Sequence, residues 1–317
     1  MIQTDVKNWK WHPAWSMIAA FGCYFCVYGF RKPFTAGTYE EQFFMGIHWK
    51  SILISSQIAG YMLSKWCGIF FVSSITWEKR ARAIIMSILL AELALLGFGL
   101  VPKPYNLIFL LLNGLPLGMI FGMLLSFLEG RRMTEAMAAA LCGSFIVADG
   151  AAKTVGTLVL VSGAGLYTMP MIAGGIFLLP FAAFVWMLTK LPQPSIEDID
   201  ERAARPQLSG TSRLALLTFL GLAYGCVVFA YTMLTVLRGF RADFMPELLK
   251  GLQVSGNALV FTQSEGIIAA VVTLIAGLTS MIRKNAIAFR TALLLGVIGF
   301  GCVPLSILLH HSGLITG

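Results

Sequence analysis

LPQPSIEDIDERAARPQLSGTS, residues 191–212, is unlike everything around it, with three prolines and a dense run of both charge signs. Such a stretch neither continues a helix nor sits in hydrocarbon, so it reads as a polar linker between two membrane units. Working outward from it, the rest of the chain resolves into long apolar runs. Six precede the linker, near 14–36, 51–75, 81–101, 105–128, 135–162 and 167–190. Three follow it, near 213–239, 258–282 and 288–309. A spanning helix needs about 20 mostly apolar residues, and each run supplies roughly that many. Barrel strands would be about half as long and would alternate in polarity, which these runs do not. The first run is too long for a signal peptide and no small-residue cleavage site closes it, so no cleavable leader is expected.

Composition agrees. Of 317 residues, 57% are hydrophobic and only 12% charged, and the mean hydropathy is +0.80. Soluble domains carry about 25% charged residues. This excludes a soluble enzyme, a disordered chain and a disulfide-stapled secreted module. The six cysteines all lie in apolar runs, where they behave as small hydrophobes; Cys23 and Cys26 form a C-x-x-C that reads as packing. The net charge of +8 reads as loop cations that fix topology rather than as a nucleic-acid footprint. Fourteen of the 23 Lys and Arg fall on the side of the N-terminus, among them Lys7, Lys79, Arg80, Arg131, Arg202 and Arg283, against seven opposite, including Arg31, Lys32, Lys50, Arg238 and Lys250. The positive-inside rule then places the N-terminus in the cytoplasm. The expected fold class is an all-α polytopic membrane protein of about nine transmembrane helices. Residues 1–190 form a six-helix bundle, 191–212 a cytoplasmic linker and 213–317 a three-helix unit. The expected location is the cell membrane.

Charges inside the runs are the functional candidates, because an Arg in hydrocarbon costs about 3 kcal/mol even on insertion scales. The first run ends in Tyr28-Gly29-Phe30-Arg31-Lys32-Pro33. Arg31 either serves a site or snorkels with Lys32 to the interface, Pro33 ending the helix. In the second run, which carries Gln57 and Tyr61, Lys65 lies about fourteen residues in, so it needs an anion or a structural carboxylate. Asp149 and Lys153 are four apart on one helical face, as a self-neutralising pair or as the wall of a cavity. Arg238 closes the seventh run, with Arg241 and Asp243 beyond it as potential mutual partners. Glu265 is a lone carboxylate suited to a hydrogen bond or to a basic residue of the seventh helix. Gly118-x-x-x-Gly122 and Gly221-x-x-x-Gly225 read as close-packing positions between helices.

These segments resemble the organophosphate:phosphate antiporter branch of the major facilitator superfamily, which includes glycerol-3-phosphate and hexose-phosphate carriers. YGFRKPF is similar to that branch's aromatic-rich R-K ending, which maps the phosphate-binding Arg to Arg31. SSQIAGYMLSK resembles its second helix, with Ser64 and Lys65 on the S-K pair. LRGFRADFMPELLK aligns without gaps to its L-R…D…P…L-K pattern, mapping the second phosphate-binding Arg to Arg238 and matching Asp243, Pro246 and Lys250. Glu265 falls on a glutamate of the eighth helix. Two departures stand out. Asp149 occupies the place of a histidine, and Ser73-Ser74-Ile75-Thr76-Trp77-Glu78 replaces an acidic loop pattern.

The resemblance implies a major facilitator-like bundle and a secondary transporter of a small organic anion, phosphate esters and inorganic phosphate included, working by alternating access. The substrate-binding candidates are Arg31, Lys65, Arg238, Asp149, Lys153, Glu265, Tyr28, Tyr61 and Gln57. Three helices follow the linker where that layout calls for six, so a non-transporting membrane sensor and an inactive truncated transporter stay open. No enzyme is expected: none of His12, His48, His310 and His311 pairs with carboxylates at metal-ligand spacing. No cofactor and no nucleic acid are implied. The expected partners are a small anionic solute and the lipid bilayer, plus a second copy or partner subunit if the chain ends at Gly317.

Overall fold

Pro33 sets the first boundary in the chain. It has no N–H to extend an α-helical ladder, so α1 (His12–Arg31) stops before it and a 3-10 turn, Pro33–Ala36, follows. The computed structural model describes residues 12–40, 42–128, 134–191, 210–252, 258–280, 282 and 284–312. Most of the 191–212 linker therefore lies outside the described residues.

A two-residue antiparallel hairpin, Phe43–Phe44 with Ile47–His48, comes next. Met45 and Gly46 turn it with positive φ (53° and 78°), which suits a tight hairpin. The chain then forms α2 (Trp49–Ser74), α3 (Trp77–Leu100), α4 (Leu107–Leu128), α5 (Thr134–Val161) and α6 (Met169–Thr189). After the linker come α7 (Gly210–Asp243), a short α8 (Met245–Gly251), α9 (Val260–Ser280) and α10 (Asn285–His311). Among the described residues, six helices are long and apolar enough to cross a membrane: α3, α4, α5, α6, α7 and α10. The chain is a multi-pass membrane helix bundle.

The long helices sit on all nine apolar runs, yet not all are equally apolar. α2 is diluted by Ser56, Gln57 and Ser64, which are buried in the protein rather than turned to lipid. The apolar stretch of α9 is shorter, Val260–Ile275. α7 runs past the end of its apolar run at 239 to Asp243, because the polar residues of its last turn have partners, described below.

α1 is the hub. It packs on α5 and α6, α2 packs on α4, α3 bridges α4 and α6, and α9 lies against α5. The buried core runs through Cys23, Cys26, Val27 and Phe30 of α1 to Ile88 and Leu95 of α3, Leu117 and Met123 of α4 and Phe181 of α6. Glycine makes the tightest contact possible. A Cβ on Gly114 of α4 would lie 2.3 Å from the Gln57 carbonyl oxygen, and one on Gly60 of α2 only 2.0 Å from that of Leu111. Gly118 packs in the same seam against Ser64, and Gly122 against Val72, whereas Gly221 and Gly225 of α7 meet nothing within 4 Å. The apolar side chains of α7 and α10, such as Phe219, Leu222, Leu294 and Val297, point outward.

Gly114→Val should therefore lower thermal stability of the detergent-solubilised protein by the equivalent of about 1–3 kcal/mol, the usual cost of overpacking. Gly221→Ala should leave the unfolding temperature within a degree or two. Equal effects would show that the α2–α4 seam is not close-packed.

Candidate functional site

The end of α1 is held from three sides. Its last carbonyls have no helical N–H partners once Pro33 ends the ladder. Gln57 Nε2 donates to the Arg31 carbonyl (3.0 Å) and to Asn113 Oδ1 (2.8 Å). Asn113 Nδ2 donates to the carbonyls of Phe30 (3.2 Å) and Ala91 (3.0 Å). One buried amide pair thus fixes α1 against α2, α3 and α4, which makes Gln57 a positioning residue for Arg31. The Arg31 guanidinium lies over the Tyr61 ring, 4.3 Å from its centroid, and 5.7 Å from that of Tyr28. Its Nε is buried and has no hydrogen-bond partner among the described residues.

One residue on, Lys32 is buried among carboxylates. Its ammonium pairs with Asp243 of α7 and lies 3.7 Å from Asp149 Oδ1 of α5. Asp149 Oδ2 takes Lys153, one turn further along α5. The pair that the i,i+4 spacing suggests is present, and it belongs to a buried chain of four charges, Asp243–Lys32–Asp149–Lys153. That chain joins segments on both sides of the linker. Removing one member of such a group leaves an unpaired buried charge, which is far costlier than losing a surface pair.

Two further ion pairs lie at the same end. Lys50, fully buried at the start of α2, donates to both oxygens of Glu247 on α8 (2.6 and 2.8 Å) and to the Thr35 carbonyl. Lys250 bonds Glu40 at 2.6 Å in the open. The Lys250 ammonium holds the Glu40 carboxyl below its ordinary value. A depressed carboxyl contributes to stability above its unfolded value and loses that contribution as pH falls through the folded one. This exposed pair therefore stays ionised in mildly acidic solution.

Arg241 does not pair with Asp243. It reaches Glu265 of α9 at 2.9 Å, the alternative partner expected for that carboxylate. Arg238 lies over the Phe145 ring of α5, 4.7 Å from its centroid. Arg238, Arg241, Glu265 and Asp149 line a cleft of about 670 Å³ whose other walls include Phe145, Ile146 and Ile268. Thr154 ties the α5–α9 side together through the Ala258 carbonyl (2.8 Å) and Thr262 (2.7 Å).

Lys65 stands elsewhere. Its ammonium lies over the Tyr61 ring, 5.1 Å from the centroid, and it lines a second cleft of about 620 Å³ with Tyr61, Arg80 and Phe121. An aromatic ridge separates the two clefts. Tyr24 packs edge-on against Tyr28, against Phe121 of the second cleft and against Phe145 of the first. Arg31, Lys32, Arg238 and Asp149 all act electrostatically on the Tyr28 hydroxyl. Tyr28 is thus an electrostatic neighbour shared by the two arginines from opposite sides of the linker. The ion pairs and the cleft together bring the cations Lys32, Lys153, Arg238 and Arg241 and the carboxylates Asp149, Asp243 and Glu265 to this end of the bundle. In the cleft itself, among the described residues, two arginines face two carboxylates.

Sequence reasoning missed Lys32, Asp243, Lys50 and Glu247 as a set. A signal was available: Asp243 and Glu247 are four residues apart on the α7–α8 stretch, facing two lysines left without carboxylates of their own.

The chain belongs to a family of unknown function, DUF5690, which matches residues 33–317. No curated protein and no solved structure matches it.

Lys32→Met should destabilise the protein more than Asp243→Asn. The first strands Asp243 and takes one of its two cations from Asp149, and should cost about 3–5 kcal/mol, whereas the second leaves Lys32 still beside Asp149. Thermal unfolding in detergent orders the two variants, and the reverse order would remove Lys32 from the centre of the network.

Proposed function

We propose that this protein is a secondary transporter of a small organic anion, with phosphate esters and inorganic phosphate as the leading class, working by alternating access. The observation that carries this reading is that Arg31 and Arg238, from opposite sides of the linker, both lie over aromatic rings rather than in ion pairs with described residues, Arg238 at the wall of the cleft of about 670 Å³. Guanidinium groups bind oxyanions through planar two-pronged hydrogen bonds. Arg31 has an unused buried N–H for that purpose. The resemblance of YGFRKPF and LRGFRADFMPELLK to the organophosphate:phosphate antiporter branch points to the same pair.

In this reading all nine long helices cross the cell membrane and the N-terminus is cytoplasmic, as the Lys and Arg distribution favours. The end carrying Lys32–Asp243, Lys50–Glu247 and Lys250–Glu40 then faces outward. Those pairs hold the outer mouth shut between the two helix groups. An anion drawing Arg31 and Arg238 together competes for the same cations, Lys32 above all, and loosens the mouth. Rocking of the two groups about the site follows. Lys65, in the second cleft, supplies a point charge along the approach rather than a direct partner of Arg238.

Arg31→Lys keeps the charge but loses the fork and the stacking on Tyr61. It should weaken binding of inorganic phosphate by at least about tenfold, the loss of one good charge-assisted hydrogen bond. Reconstituted in vesicles, the wild type should exchange external for internal phosphate, and Arg31→Lys and Arg238→Lys should not. Wild-type exchange in both variants would overturn the proposal. Saturable binding without exchange would mark a sensor instead.

A further inference from the structure

A carboxylate at the wall of an anion site needs a reason. Asp149 is 4% exposed and lines the cleft together with Arg238 and Arg241. Only one of its oxygens is engaged, Oδ2, by Lys153. Oδ1 has no hydrogen bond among the described residues. The nearest cation to it, the Lys32 ammonium, stands at 3.7 Å, beyond hydrogen-bond reach, and is itself drawn toward Asp243.

Charged and titratable groups face Asp149 from every neighbouring element. Arg31, Lys32 and Tyr28 approach from the end of α1, and Lys153 from its own helix. Arg238 and Arg241 from α7 and Glu265 from α9 share its cleft. From α7, Asp243 also acts on Lys153, as does Lys50 from α2. The other carboxylates are occupied, Asp243 by Lys32 and Glu265 by Arg241. Asp149 Oδ1 is thus a buried acceptor without a hydrogen-bond donor among the described residues, in a residue that shares its cleft with Arg238, Arg241 and the Arg241-paired Glu265. Towards a fully ionised oxyanion it is repulsive. Towards an oxyanion that still carries an O–H it is a strong acceptor.

Building on the anion reading above, we infer that the cleft selects an oxyanion that keeps a proton, its O–H donating to Asp149 Oδ1 while its bare oxygens face Arg238 and Arg241. The relevant ligands are hydrogen phosphate and monoanionic phosphate esters. Sulfate, of similar size and shape, has no proton to offer near neutral pH.

Three probes separate the possibilities on the purified full-length protein: inorganic phosphate, sulfate and a small alkyl phosphate, with Kd measured from pH 5 to 9. Inorganic phosphate carries an O–H throughout that range and should bind throughout. Sulfate should bind at least about tenfold more weakly, as expected where a buried polar group loses its hydrogen-bond partner. The alkyl phosphate loses its proton with a pKa of about 6 and should weaken about tenfold per pH unit above that value. Asp149→Asn, whose amide can donate, should admit sulfate and flatten the alkyl phosphate profile. If that variant fails to fold, the wild-type phosphate-to-sulfate ratio decides alone. Equal affinity for phosphate and sulfate, with an alkyl phosphate profile that is flat, would overturn the inference while leaving anion binding intact. No binding of any of the three would overturn the anion reading and this inference with it.

Discussion

Lys32 sits between Asp149 and Asp243 with little access to water, and much of the arrangement around the site follows from that. A buried ammonium must be matched by carboxylates held in place, because desolvation is recovered only through close, well-oriented partners. Asp149 is held by Lys153 on its own helix, and Asp243 by the extension of α7 four residues past its apolar run. The match therefore forces α1, α5 and α7 into one layer. Without Asp243, α7 would have little to bind it to the first six helices, since most of its side chains point outward.

The same constraint shapes the cleft. Because Lys32 neutralises Asp243, and Arg241 is committed to Glu265, Arg238 is left over an aromatic ring rather than in an ion pair. Arg31 is in the same position, stacked on Tyr61 with an unpartnered Nε. Aromatic faces stabilise a guanidinium modestly and leave its N–H edge available. In the proposed reading, two arginines parked on rings beside the salt-bridge layer keep the charges that meet a ligand apart from those that hold the fold. Gln57 and Asn113 keep that separation rigid by fixing the last turn of α1.

Much of this was legible in the sequence. Long apolar runs gave the helices nearly to their ends, and Pro33 marked the break after α1. Charges embedded in apolar runs picked out Arg31, Asp149, Lys153, Arg238 and Glu265, and also Lys65, which the fold sets apart in the second cleft. The i,i+4 spacing gave Asp149–Lys153 directly. What was not legible was the choice of partners across the chain. Asp243 and Arg241 look like a pair by proximity, yet residues two apart on a helix point in different directions. Asp243 instead meets Lys32, 211 residues away. No periodicity encodes a contact at that separation. Gln57 shows the same limit: it stands among the substrate-binding candidates, and no pattern in the sequence signals that its amide also holds the last turn of α1. The apolar-run reading also ended α7 too early, because it counts hydrophobicity and not the partners that make a polar turn stable.

The most direct test is the separation of the hairpin at Met45 from α8 at Leu248, both with exposed side chains, across the end closed by the ion pairs. Spin labels at these two positions in a cysteine-depleted protein reconstituted in lipid, read by pulsed dipolar spectroscopy, report that distance with and without inorganic phosphate. If the ion-pair layer is the mouth of a transporter, phosphate should shift part of the population to a longer distance, and Arg31→Lys should abolish the shift. A single short distance unchanged at saturating phosphate would contradict alternating access at this end.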